Sequence, residues 1–251
     1  MMKTPKRLNK SIVSIVFFLT CTSCVLLPSA CHAQSPLVAA EILKKTGAVY
    51  QQTQAFVASF HQSVTSAAAS SMTTEASGKL YYEKPRQMRW EYEKPEPQVF
   101  VANHQLAWLY VPSEKQISLS DSKKIFSHPL AQTFFEGVAG LKKHYQVTLD
   151  HGRSIKELAV LKLLPKIEDP EIKTLYLSID QQTYRITIIE VHNALGNVNR
   201  ISLHAQKAVA SLDPKLFQLD IPSSVDVVDA EGRPLAASEV ERLKHNLAPA
   251  R

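Results

Sequence analysis

The stretch KLYYEKPRQMRWEYEKPEPQVFVANHQLAWLYVP, residues 79–112, decides the fold. It holds four short runs, 79–83, 87–93, 98–102 and 107–111, rich in aromatic and β-branched residues. Pro85, Pro95-Glu96-Pro97 and Asn103-His104 separate them, and Pro112 closes the series. Strand-like runs spaced roughly ten residues apart, with turn residues between, spell an antiparallel meander. Side chains alternate across a strand, so Met88, Trp90 and Tyr92 share one face, as do Val99 with Val101 and Trp108 with Tyr110. With Leu80 and Tyr82 these side chains are expected to line one apolar surface, although a one-residue slip of register turns a whole strand over.

Working outward, residues 116–120 add a further strand, and the period then becomes helical over 129–143. Pro129 suits a first helical turn, and Leu130, Phe134, Val138 and Leu141 form one stripe. Gly137 and Gly140 each weaken that helix by ~1 kcal/mol against Ala, so a short, movable helix is expected. Strands are expected at 145–149, 157–164, 173–180, 184–191, 197–206 and 216–220. On the other side, 63–77 is rich in Ser, Thr and Ala and reads as a loop or a loosely paired hairpin. Phe56, Ala58 and Phe60 alternate as in a strand. Residues 34–54 read as a helix with Val38, Ile42 and Val49 on its stripe and Leu43 and Tyr50 on the flank. A single sheet with this much apolar surface must cover it, and the two helices are the available covers. A curved sheet closed by helices that lift away is a cavity, where apolar cargo would gain ~0.8 kcal/mol per buried methylene.

The first 33 residues are a separate object. Lys3, Lys6, Arg7 and Lys10 precede an apolar run from Ile12 to Leu27, and small residues follow at Ser29, Ala30 and Ala33. That order defines a secretory signal peptide rather than a spanning helix, with cleavage expected after Ala33. Cleavage removes Cys21, Cys24 and Cys31, leaving no thiol for a disulfide, a metal or nucleophilic catalysis. It also removes four of the 29 basic residues and no acid, leaving 25 against 23. The net charge of the mature chain is therefore near neutral and carries no nucleic-acid signal. Leu27-Pro28-Ser29-Ala30-Cys31 has a second reading as a lipoprotein processing site, in which Cys31 is acylated. The organisation is then a signal peptide over 1–33, one domain over 34–229 and a polar tail over 230–251.

The search for catalytic motifs returns nothing. The histidines His61, His104, His128, His144, His151, His192, His204 and His245 are scattered over turns and strands without close ligand spacing. Seven glycines in the chain leave no nucleophile elbow and no phosphate loop. Glu168-Asp169 sits beside Pro170 as a solvated turn. An enzyme is not expected, nor a cofactor or metal.

The ordered motifs Phe56-Val57-Ala58-Ser59-Phe60-His61-Gln62, Gly78 to Pro85, Met88-Arg89-Trp90, and Leu106-Ala107-Trp108-Leu109-Tyr110-Val111-Pro112 resemble the outer-membrane lipoprotein carriers of the LolA family. Weaker motifs extend the resemblance through Phe217-Gln218-Leu219-Asp220-Ile221-Pro222, over about residues 37–229. The resemblance implies a mainly β fold with α: a single curved antiparallel sheet forming an incomplete β-barrel closed by a helical lid. It implies a periplasmic monomer that takes acylated lipoproteins from an inner-membrane lipoprotein-releasing transporter and passes them to an outer-membrane acceptor, without chemistry. The lipid-binding cavity would comprise Leu80, Tyr82, Met88, Trp90, Tyr92, Val99, Val101, Trp108 and Tyr110, with Leu130, Phe134, Val138 and Leu141 on the lid. Two departures stand out. Where the family has an arginine that holds the lid, this chain has Lys84, a point donor without the planar fork. Where the family has an Asp-Gly turn, it has Asn103-His104. An anchored acceptor or an envelope sensor of the same fold is the alternative, and a lipidated Cys31 would favour it.

Overall fold

The computed structural model describes residues 38–68, 72–127, 140–222 and 224–247. The expected signal peptide with its three cysteines, and Leu130, Phe134 and Val138 of the expected lid, lie outside the described residues. Helix α1 (Ala39–Gln52) is followed by β1 (Ala55–Thr65), β2 (Thr73–Glu83), β3 (Gln87–Lys94), β4 (Gln98–Ala102), β5 (Ala107–Val111) and β6 (Gln116–Ser120). The short helices α2 (Ser122–Ser127) and α3 (Leu141–His144) precede β7 (Tyr145–Leu149). Then come β8 (Leu158–Pro165), β9 (Thr174–Asp180), β10 (Ile186–His192), β11 (Val198–Val209), β12 (Asp226–Val228) and α4 (Ala237–Leu247).

The strands make one 12-stranded sheet in the order β12-β6-β5-β4-β3-β2-β1-β11-β10-β9-β8-β7, with no pairing of its two ends. It is a single curved, open sheet: an incomplete barrel. β12 runs parallel to β6, and the other pairings are antiparallel. The Ser/Thr-rich stretch 63–77 is paired as a hairpin, with Thr65 and Thr73 opposed and their hydroxyls 2.9 Å apart. Small polar side chains suit a partly exposed ladder, and they hide it from any search for apolar alternation.

One face of the sheet, here the inner face, carries α1. Ile42, Leu43, Thr46, Gly47 and Tyr50 are the buried side of that helix. The stripe is therefore turned from the expected one: Leu43 and Tyr50 are central, and Val38 is 59% exposed. Beneath α1 the inner face presents Phe56, Ala58, Phe60, Leu80 and Tyr82, continued by Leu161, Leu163, Leu175, Leu177, Ile179 and Ile189. A bulge in β11 shifts its register against β1 between Val57 and Ser59, and Ala205 there has φ 50°. That extra residue keeps Leu203 and Ile201 facing inward opposite Phe60 and Gln62.

The outer face is divided. Over β3–β6 it has its own apolar core, in which Val101, Trp108, Ile117 and Leu119 pack with Phe217, while Val227 of β12 stands beside Ile117 within the sheet. The segment 216–220, expected as a strand, is a 3-10 turn at Pro214–Phe217. Pro214 starts it, and the Asp213 carboxylate accepts from the Lys215 amide. Its carbonyls are met by side chains instead of a ladder: Arg89 donates to Leu216 O at 3.1 Å and Asn103 Nδ2 to Phe217 O at 3.0 Å. The polar segment after Asp229 is anchored at its root, where Leu235 N donates to Val227 O and Leu235 and Val240 join the same core.

Over β9–β11 the outer face carries a charge cluster. Glu190, nearly buried, accepts from Arg153 at 2.8 Å, from Arg200 at 2.6 Å and lies 2.7 Å from His192 Nε2. Arg153 also stacks over Tyr176 at 4.0 Å. Burial pushes the Glu190 pKa up, but the hydrogen bonds from Arg153, His192 and Arg200 outweigh it and hold the carboxyl at about 2. The cluster ties the β7–β8 loop to the sheet.

Two outcomes follow from these contacts. A Cβ at Gly78 would sit 1.8 Å from the Glu91 carbonyl oxygen and 3.0 Å from the Phe60 ring, so Gly78→Ala should lose about 3 kcal/mol in urea unfolding. Glu190 has a lower pKa folded than unfolded, so its stabilisation is present above about pH 4.5 and is lost as pH falls toward 2. Acid titrations of stability should therefore show a decline over that window, on the order of 2 kcal/mol after screening at the half-exposed arginines. Glu190→Gln should flatten it; an unchanged slope would remove Glu190 as its source.

Candidate functional site

The register of the meander decides which side chains meet. Trp90 pairs with Phe100 and Met88 with Ala102, while Val99 and Val101 pair with Glu91 and Arg89. In the next hairpin Val101 pairs with Trp108 and Val99 with Tyr110, while Phe100 pairs with Leu109 and Ala102 with Ala107. Directly opposed residues point to the same face. The inner face of β3–β5 is therefore Met88, Trp90, Tyr92, Phe100, Ala102, Ala107 and Leu109. Of the nine expected cavity residues, Leu80, Tyr82, Met88, Trp90 and Tyr92 are inner.

Val99, Val101, Trp108 and Tyr110 are a correction: they lie on the outer face, under the C-terminal segment. The reason is local. Residues 98–102 read QVFVA and are apolar on both faces, so alternation cannot choose between them. The loop at 103–106 then changes which parity faces inward. Phe100 and Leu109 were missed for this reason, and the signal that finds them is the pairing register, not the composition.

The inner wall is an aromatic cluster. Phe60 meets Trp90 edge-on at 4.9 Å and Tyr92 at 5.0 Å, and Phe56 stacks on Tyr82 at 5.0 Å. Gly78, cross-strand from Phe60, leaves the space for its ring. Trp90, Tyr92 and Phe100 remain only partly buried. Beside them Met88, Ala102, Ala107 and Phe126 of α2 form a smaller cluster. Of the expected lid, Leu141 is described. It lies in α3, is buried, and packs in the main inner core.

Lys84 stands at the end of β2, on the side of Leu80 and Tyr82. Its Nζ donates to the carbonyls of Tyr50 at 2.7 Å and Gln51 at 2.9 Å, in the last turn of α1. A cation at a helix C-terminus meets unsatisfied carbonyls and the negative end of the helix dipole. The backbone adds to the joint: Lys84 N donates to Gln54 O, and Gln54 Nε2 to Lys84 O at 3.1 Å. Burial pulls the Lys84 pKa below the ordinary lysine value. Arg86 is exposed. At the other departure, Asn103 makes the turn with its side chain: Oδ1 accepts from Gln105 N and Leu106 N, both at 2.9 Å. An Asx turn of this kind has no need of glycine's positive φ.

An open sheet with a covered, aromatic inner face, and a cover pinned at one end by a single cation, defines a class of proteins built around an apolar interior. The chain belongs to the outer membrane lipoprotein carrier protein LolA family, whose sequence model matches residues 51–220. It is 25% identical over 200 residues to the outer-membrane lipoprotein carrier protein of Pseudomonas paraeruginosa, covering 80% of this chain and 91% of that one. It is 28% identical over 210 residues to the protein of that name from Legionella pneumophila, covering 81% and 96%. The crystal structure of an uncharacterized conserved protein from Thermus thermophilus matches with a TM-score of 0.50 at 15% identity, over 76% of this chain and 98% of that one, and agrees in fold.

The two tryptophans now separate. Trp90 faces inward and Trp108 is buried in the outer core. An acyl-chain ligand on the inner face should change the emission of wild type and of Trp108→Phe, and should leave Trp90→Phe unchanged. A response that survives Trp90→Phe and vanishes in Trp108→Phe would put the ligand on the other face.

Proposed function

We propose that the mature chain is a periplasmic carrier that shields the acyl chains of lipoproteins against its inner face and moves them from the inner to the outer membrane. One observation carries this reading: the inner wall of Phe60, Trp90, Tyr92 and Phe100 is aromatic and partly uncovered, and the same face carries a helix held through a breakable joint. The names of the relatives give the cargo class, and the basic, apolar and small segments of residues 1–33 support export with cleavage after Ala33. Among the described residues no helix is long and apolar enough to cross a membrane. An inner-membrane lipoprotein-releasing transporter would load the carrier, and an outer-membrane acceptor would unload it. The domain that does this runs from 34 to 229, and in the polar segment 230–251 Leu235 and Val240 pack into the outer core. The carrier does no chemistry and works as a monomer.

The cycle rests on the balance between a closed state and a cargo-bound open one. In the closed state Lys84 makes two charge-assisted hydrogen bonds to α1. At a half-buried site these contribute roughly 1–2 kcal/mol together. That is small enough for buried methylenes to offset at ~0.8 kcal/mol each. Removing the joint weakens the closed state and leaves cargo bound for longer.

The test is transfer of a purified diacylated lipoprotein from the carrier to an acceptor. Wild type should hold the cargo in solution and release it. Lys84→Leu should fold, hold the cargo, and transfer it about tenfold more slowly, in line with ~1.4 kcal/mol. Lys84→Arg should transfer at least as well as wild type. Equal transfer by all three folded proteins would make Lys84 an ordinary strand-end residue, and cargo that wild type never keeps in solution would sink the carrier reading itself.

A further inference from the structure

The inner face is not apolar along its whole length. Past Phe60 on β1 the next inward residue is Gln62, and it sits in a hydrogen-bonded group. Tyr92 OH donates to Gln62 Oε1 at 3.2 Å, and Gln62 Nε2 donates to Asn199 Oδ1 at 2.9 Å. The three come from three strands, β3, β1 and β11. All point inward, since Tyr92 shares the face of Trp90 and Asn199 is paired with the inward Val64 and Val191. Burial raises the Tyr92 pKa, so the phenol is a neutral donor.

Hydrogen-bond capacity is left over. Gln62 Nε2 carries two hydrogens and uses one, and Asn199 Nδ2 makes no hydrogen bond among the described residues. Spare amide donors beside an apolar wall are costly to bury without acceptors. All three side chains are only partly buried, so an incoming molecule has access to them. The surroundings are apolar on the closed side, where Phe60 and Trp90 lie, and Ile201 stands opposite Gln62.

We infer that Gln62, Asn199 and Tyr92 form a subsite for the carbonyl groups that join acyl chains to a cargo's head: the esters and amide of an acylated cysteine. This rests on the carrier reading above and deepens it. Ester carbonyls are acceptors with no donor of their own, and the amide offers its C=O beside a single N–H, so both complement spare N–H groups. The chains would continue over Phe60 and Trp90 toward α1. Gln62 pairs with Ala76, eight residues up β2 from Lys84, or about 25 Å along an extended strand. The head of the cargo is thereby placed toward the β1–β2 hairpin tip, and the Lys84 joint closes the far, greasy end. Selection follows: the subsite favours chains attached through carbonyls over bare hydrocarbon.

The experiment compares two synthetic lipopeptides of equal chain length. One carries an S-diacylglyceryl cysteine with two ester carbonyls, and the other is its dialkyl ether, which lacks them. Binding to the full mature protein is read from Trp90 emission in the Trp108→Phe background. Wild type should bind the ester roughly tenfold more tightly than the ether, the worth of one or two modest hydrogen bonds. Gln62→Met and Asn199→Leu should each shrink that ester-over-ether preference severalfold. Asn199 lies near the start of β11, so Asn199→Leu carries the test if Gln62→Met does not fold. Equal affinity of wild type for ester and ether, or a preference that survives in the folded variants, overturns the subsite while the carrier reading stands. Binding of neither lipid by wild type overturns the carrier reading and the subsite with it.

Discussion

The ring of Phe60 lies over Gly78, between Trp90 and Tyr92, and this contact joins three strands at one point. No side chain can replace the glycine hydrogen, because β3 passes too close: the Glu91 carbonyl occupies the space a Cβ would need. A register shift in the β2–β3 ladder falls at the same place, between Ser77 and Gly78. Close approach plus a register shift bends the sheet there, and the bend turns the aromatic side chains toward one another. The enclosed inner face and the position of the helix that covers it follow from this curvature.

Bending the sheet leaves two apolar faces to cover, and the protein covers them unequally. On the outer face of β3–β6 the C-terminal segment packs Phe217 with Val101 and Trp108, Arg89 and Asn103 bind its carbonyls, and Val227 extends the sheet beside Ile117. That joint combines apolar burial with side-chain hydrogen bonds to a non-ladder backbone, and it reads as permanent. On the inner face α1 is buried through Ile42, Leu43 and Tyr50, but its C-terminal turn is held by one lysine. Tyr50 adds a second attachment, its hydroxyl accepting from Ile186 N at 3.2 Å. On the proposed carrier reading the cover moves, and such a cover needs a joint worth a few kcal/mol at most, because proteins can exploit only states separated by that much. Lysine in place of arginine keeps the joint while removing the planar fork that would strengthen it.

The remaining charges are spent on architecture. The Glu190 cluster fastens the β7–β8 loop through Arg153 on the outer face of the sheet. Its carboxylate meets Arg153, Arg200 and His192, and it lies on the face opposite Ile189. The inner polar group of Gln62, Asn199 and Tyr92 is weaker but faces the space where a ligand would lie.

Much of this was legible in the sequence, because the physical signals are local. Turn residues and β-branched runs placed β4 to β7 within the ladder, whereas the resemblance set Lys84 against a lid at 129–143 and its hydrogen bonds go to the last turn of α1. The ordered motifs carry the likeness to the family without reference to the fold. What the sequence left open was relational. A run such as 98–102, apolar at every position but the first, cannot say which face it presents, so Val99, Val101, Trp108 and Tyr110 were assigned to the cavity and belong to the outer core. The 63–77 hairpin was muted because its pairing is carried by backbone and threonine hydroxyls rather than apolar alternation. The 3-10 turn at Pro214–Phe217 replaced an expected strand because its acceptors are bound by Arg89 and Asn103, more than a hundred residues away. Periodicity along a chain fixes which side chains share a face of one element. Only the register between elements, set by loop length and by the close approach at Gly78, decides which faces become a common wall.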